Sequence, residues 1–264
     1  MQKRLKKNII KNFFFGFFVL CVFSNNSFAA ASKNLTVFAE QNMVPAFIKI
    51  ARLYSQKNYT IVSINFNSSG ELISDVDSGE PADIFISAHA GWIETLKQKG
   101  LTDVYNTGHI ARDRLVLVTS KNNPNILPQL LQKNLSLEES LKILNQFKAT
   151  LIIDQENNSS GKCSNDLIKS LELYDLKLFL KLSEDNSAGL NFDNDNPRSY
   201  AMLLESQIKN KPNLKVLAKQ KASNIFYQAL VIAGDNMETA REFLKFLKSK
   251  QAKIILSESG FIVD

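Results

Sequence analysis

Cysteine and histidine are scarce in this 264-residue chain, with two of each. Cys21 falls in an N-terminal stretch that reads as removable, which leaves Cys163 alone. One cysteine makes no intrachain disulfide, so stability has to come from packing. No His/Cys/Asp group has metal-ligand spacing, and no metal or other cofactor is implied. A membrane-spanning run is lacking too. The apolar stretch Phe13 to Phe23 is well short of the about 20 residues a span requires. A basic-aromatic stripe of the kind that tracks nucleic acid is also absent.

What is present begins with that apolar stretch. Lys3, Arg4, Lys6, Lys7 and Lys11 precede it, and Ser24 to Ala31 follow with small residues ending Ala29-Ala30-Ala31. A basic region, an apolar run and an A-x-A site make a cleavable secretory signal peptide, expected over 1–31. The chain has 32 basic and 26 acidic residues, and five of the basic ones are in the leader. The rest is nearly neutral, so the high isoelectric point says nothing of a nucleic-acid partner. The location expected is the periplasm.

Beyond the leader, strand and helix patterns alternate. Strands are expected at Leu35 to Ala39, Tyr59 to Phe66, Asp83 to Ala88, Arg114 to Ser120, Thr150 to Asp154, Leu214 to Ala218 and Ile225 to Ala233. Helices are expected after Pro45, with Val44, Phe47, Ile48, Ala51 and Tyr54 on one face. More follow at Glu71 to Ser78, Gly91 to Lys99, Ser136 onward behind a capping box, Ser159 to about Leu171, Arg198 to Ile208 and Asn236 to Lys250. Ser183 to Asn196 reads as a loop. Such alternation predicts an α/β fold with mostly parallel sheets flanked by helices. Two lobes are expected: 32–113 with 234–264, and 114–233, with a ligand cleft between them.

In open α/β sheets ligands bind beyond the carboxyl ends of the strands. Three such junctions carry small polar residues: Glu40-Gln41-Asn42, Asn67-Ser68-Ser69-Gly70 and Asn157-Asn158-Ser159-Ser160-Gly161. A helix N-terminus offers unpaired N–H groups and the positive end of a dipole. Several ends meeting in one cleft would hold an oxyanion without Lys or Arg. Taken singly, each junction is equally an ordinary N-cap.

At these residues the chain resembles a family. LTVFAEQNMVPAF (35–47), the Ser68-Ser69-Gly70 turn, SGEPADIFISA (78–88), Trp92, Lys99-Gly100-Leu101, LVLVTSKN (115–122) and the closing segment 214–264 look like periplasmic molybdate-binding proteins of bacterial ABC importers. The resemblance implies a two-lobed solute-binding protein that closes on molybdate or a related tetrahedral oxyanion such as tungstate and delivers it to a membrane permease. It implies no catalysis and a monomer. It places Asn42 where the family has a serine, and Ser69, beside Ser68, at the family's second serine. Ser160 falls at a backbone donor. Asn186 or Pro197 falls at a further backbone donor, and Tyr200 is the candidate for a tyrosine hydroxyl. Glu40 and Gln41 replace small residues. A carboxylate facing the cleft would repel a dianion unless it accepted a proton from a protonated oxyanion, so Glu40 is expected to point outward. His89 is expected at the surface.

Two other readings stand beside it. Ser160-Gly161-Lys162-Cys163 lacks the first glycine and the final Ser/Thr of a phosphate-binding loop. Cys163 near a helix start could be a nucleophile in a cleft enzyme; with only His89 and His109 as imidazole bases, and neither obviously paired with it, a buried structural thiol fits better. A solute-binding protein for another anion or an organic solute remains the third.

Overall fold

The structure is a computed structural model and describes residues 33–173, 180–182 and 199–264. The expected signal peptide, the loop 183–196, Asn186 and Pro197 lie outside the described residues.

Five strands build the first sheet: β1 (Lys33–Glu40), β2 (Thr60–Asn67), β3 (Ile84–Ser87), β4 (Thr102–Asp113) and β10 (Ile225–Ile232). Their order is β2-β1-β3-β10-β4. β1 pairs in parallel with both β2 and β3, and β10 runs antiparallel to β3 and β4. The second sheet is β7-β6-β8-β5-β9, from β5 (Leu115–Ser120), β6 (Leu151–Ile153), β7 (Leu180–Leu182), β8 (Tyr200–Leu204) and β9 (Leu214–Lys219). Here β5 is the strand that runs against its neighbours. In each sheet, four strands therefore share a direction and the fifth opposes them.

Along the chain two short segments join the described strands of the two sheets, Arg114 between β4 and β5, and residues 220–224 between β9 and β10. The return crossing thus precedes β10. The second lobe expected over 114–233 is one strand shorter, because β10 is hydrogen-bonded into the first sheet.

Helices cover the sheets. Among them α1 (Val44–Asn58) begins with Pro45 in its first turn, where the missing N–H costs nothing. It buries Ala46, Phe47, Ile50, Ala51 and Tyr54. Ile48, expected on that face, is 57% exposed, and Ile50 takes the inward position. Tyr54 packs edge-on against Phe243 at 4.8 Å, on α6 (Met237–Leu247), which is followed by α7 (Lys250–Glu258). On the opposite face α2 (Ser69–Asp77) and α3 (Ala90–Gln98) bury Leu72, Ile73, Ile93 and Leu96 against Phe38, Phe85 and Leu230. In the second lobe α4 (Leu137–Gln146) starts in the expected capping box of Ser136 and Glu139 and buries Leu137, Leu141 and Leu144. α5 (Ser159–Ser170) follows β6.

Three elements differ from the sequence reading, one of them the short β7 edge strand, which was not expected. The segment expected to be a helix over 198–208 is β8 followed by a 3-10 turn, Glu205–Ile208. All five β8 residues are buried between β6 and β5. A strand covered on both faces is a continuous apolar run, and periodicity cannot separate such a run from a buried helix. β4 was not expected at all. It is an edge strand whose pairing with β10 is broken by two register shifts, and its polar TDVYNTGHIARD lacks clean alternation.

Candidate functional site

Two helices from different lobes begin at the same place. α2 is capped by Ser68, whose Oγ accepts from the Glu71 N–H at 3.3 Å. α5 is capped by Asn158, whose Oδ1 accepts from the Gly161 N–H at 2.9 Å. Each first helical residue is a serine, Ser69 and Ser159, and both are buried. The α5 start is pressed onto the end of β6. A Cβ on Gly161 would lie 2.1 Å from the Gln155 carbonyl oxygen and 2.4 Å from that of Asp154, so only glycine fits there. The α2 start meets the other lobe directly, as the Gly70 N–H donates to the Asn157 carbonyl at 2.8 Å.

Between the two helix starts sits the Glu40 carboxylate. Glu40 is only 4% exposed, and the outward orientation expected for it is overturned. Its Oε1 accepts from the hydroxyls of Ser69 and Ser159, and from that of Ser87 at 3.2 Å. The Ser159 backbone N–H adds a further bond. The Ser87 hydroxyl also touches the other two, Ser69 at 2.9 Å and Ser159 at 3.1 Å. Burial pushes the Glu40 carboxyl above its ordinary range, and the bonds from Ser159, Ser69 and Ser87 pull against that shift.

Beside the carboxylate is a cavity of about 30 Å³, lined by Glu40, Gln41, Asn42, Asn67, Ser68, Asn158, Ser159, Ser160, Leu204 and Gln207. Among the described residues no lysine or arginine lines it. Asn42 Nδ2 donates to the Tyr227 hydroxyl, and Asn42 Oδ1 has no partner. A half-turn of that amide would let Oδ1 accept from Tyr227. The Ser160 hydroxyl is buried without a partner.

Of the residues singled out in the sequence, Asn42, Ser68 and Ser160 line the cavity, and Ser69 lies behind them on Glu40. Tyr200 is elsewhere. It is buried in β8, with its hydroxyl accepting from the Leu127 N–H at 3.0 Å. Ser87 and Ser159 were missed as site residues. Ser159 was within sight, since a helix opening at Ser159 makes it the α5 counterpart of Ser69.

Further contacts tie the lobes together around this point. His89, expected at the surface, is half-buried and engaged by partners. Its Nδ1 accepts from the Gly91 N–H at 3.0 Å, which leaves Nε2–H to donate to Asp166 Oδ2 on α5 at 2.9 Å. The Lys162 ammonium lies 4.9 Å from the centre of the Trp92 ring, a cation–π distance. Cys163, half-buried on α5, packs against the main core. Burial, with the charges of Glu40 and Asp166, pushes its thiol up to about 12, the wrong direction for a nucleophile.

Comparison with known proteins agrees with this architecture. Molybdate-binding protein ModA of Haemophilus influenzae is 28% identical, over 89% of this chain and 92% of its own length. Molybdate-binding protein ModA of Escherichia coli is 25% identical, over 96% of this chain and 97% of its own. The solved tungstate ABC transporter structure from Geobacter sulfurreducens superposes with a TM-score of 0.70 at 15% identity, over 85% of this chain and 98% of that one, a likeness of fold. The model of the bacterial extracellular solute-binding protein family matches residues 35–262, and the chain belongs to that family.

Proposed function

We propose that this protein is the solute-capturing component of an ABC importer. It works in the periplasm after removal of its signal peptide, and it holds a tetrahedral oxyanion of the molybdate and tungstate type between its lobes. The observation that carries this reading is the convergence of two helix N-termini and three serine hydroxyls on one carboxylate oxygen. Donors grouped around an oxygen anion, with no lysine or arginine among the described residues lining the cavity, suit a fully deprotonated oxyanion. The relatives named for molybdate support the same ligand class. Asn42, Ser68, Ser69, Ser159 and Ser160 would contact the anion, and the protein would hand it as a monomer to a membrane permease. Catalysis is not part of the role, in keeping with the raised Cys163 thiol.

Isothermal titration of ligand-free protein against molybdate, tungstate, sulfate, phosphate and a carboxylate panel tests this. Submicromolar binding of molybdate or tungstate, weakened by Ser69→Ala, is expected. No heat with either metal oxyanion would end the reading. The inward Glu40 favours one alternative, a solute carrying a proton that Glu40 accepts, and the phosphate arm detects it.

A further inference from the structure

The position of Glu40 goes beyond that reading while resting on it. Its Oε1 takes hydroxyls from Ser69 on α2 and Ser159 on α5. The carboxylate therefore joins the two lobes by the donors a solute oxyanion would need. Ser87, at the end of β3, completes the set from the first lobe at 3.2 Å. The cavity beside the carboxylate is small, about 30 Å³, and the hydroxyls that would hold a solute oxygen are already taken by Glu40. The side chain cannot be ignored by an incoming solute, since both would use the same three hydroxyls and would repel each other within a few ångströms.

We propose that Glu40 is a self-ligand, a tethered carboxylate that occupies the oxyanion position, draws the two lobes together and admits a solute anion only by being displaced. It sets specificity by setting a threshold. An anion that binds the serine hydroxyls weakly is excluded by the resident carboxylate, and one that binds them strongly is captured at reduced affinity. The tether makes the competitor's effective concentration high.

Sodium tungstate titration and solution X-ray scattering on wild type and Glu40→Ala test this together. Glu40→Ala is expected to bind tungstate about tenfold more tightly or better, a gain of about 1.4 kcal/mol. Free Glu40→Ala is expected to have a larger radius of gyration than free wild type, and tungstate should contract it. Glu40→Gln, nearly the same shape and uncharged, should fall between the two in affinity and guards against a packing defect in the alanine variant. Tungstate binding that is unchanged or weaker in both variants overturns the proposal, and hydrogen phosphate binding lost in both would identify Glu40 as a proton acceptor instead. If neither wild type nor variants bind any metal oxyanion, the solute reading fails. The scattering then decides alone: equal radii for the free proteins overturn the self-ligand, and an expanded variant supports it.

Discussion

The same four residues, Asn-Ser-Ser-Gly, occur once in each lobe, at 67–70 and at 158–161, and they are used differently. In the first lobe Ser68 caps and α2 starts at Ser69. In the second lobe Asn158 caps and α5 starts one letter earlier, at Ser159. The serine that reaches Glu40 is the third letter of one copy and the second letter of the other. Position relative to the helix start, not position in the motif, determines which hydroxyl does the work. The offset leaves Ser160 as the extra serine, with a hydroxyl that bonds nothing. The glycines diverge too. Gly161 is pinned on its own β6 end, while Gly70 donates its N–H to the opposite lobe.

Four measurements would break or sharpen this contrast. The largest effect is expected from protonation of two buried acids, Glu40 at the motifs and Asp113 at the crossing between the sheets. Burial lifts Asp113, at the first crossing between the sheets, to about 7, and lifts Glu40 as well. A carboxyl raised on folding stabilises the fold below its unfolded value and loses that contribution as pH rises through its folded value. Thermal melts should therefore show stability falling between about pH 4 and pH 7, on the order of 4 kcal/mol at the limit for Asp113. Asp113→Asn, which keeps the acceptor for the Arg114 N–H, should flatten that slope. A slope unchanged in the variant would sink the assignment.

Next in size is Gly161→Ala. Its Cβ would overlap two backbone carbonyls, and overpacking of this kind costs ~1–3 kcal/mol or more. Denaturant unfolding should show the loss. Gly70→Ala is the control, because a Cβ there stands 3.1 Å from the Asn157 oxygen across the cleft. It should cost less stability than Gly161→Ala, because its contacts are looser, while weakening solute binding. Equal losses from both glycines would mean that the two copies are equivalent after all. Ser159→Ala should match Ser69→Ala, each removing one hydroxyl from Glu40 and costing about 1 kcal/mol in stability. The smallest effect is expected from Ser160→Ala, near zero on stability, since no bond is lost. A large loss there, measured by the same melts, would contradict the offset between the copies.

Much of the scaffold was readable from residues. The capping box at Ser136, the strands around LTVFA and DIFIS, and the helix openings at Pro45 and Ser159 are local signals, and they appear where their chemistry puts them. β8 and β4 were not, because one is apolar throughout and the other is a bulged polar edge. The site was legible in part. Ser69 was found through the turn that carries it. Glu40 was misplaced for a physical reason. β1 lies between β2 and β3, and its last four residues are all buried. At the end of a strand covered on both faces, no solvent side exists for a carboxylate to choose. Repulsion of a solute dianion gave the wrong answer because the nearest donors were free to serve Glu40 itself.

The chain contains a single tryptophan, and Trp92 is the ring beneath Lys162 from the other lobe. Any separation of the lobes removes that ammonium and admits water to the indole. The emission maximum and intensity of one residue therefore report the opening of the cleft, without a label and without a second fluorophore of its kind to correct for. The protein carries its own optical gauge at the seam it has to open.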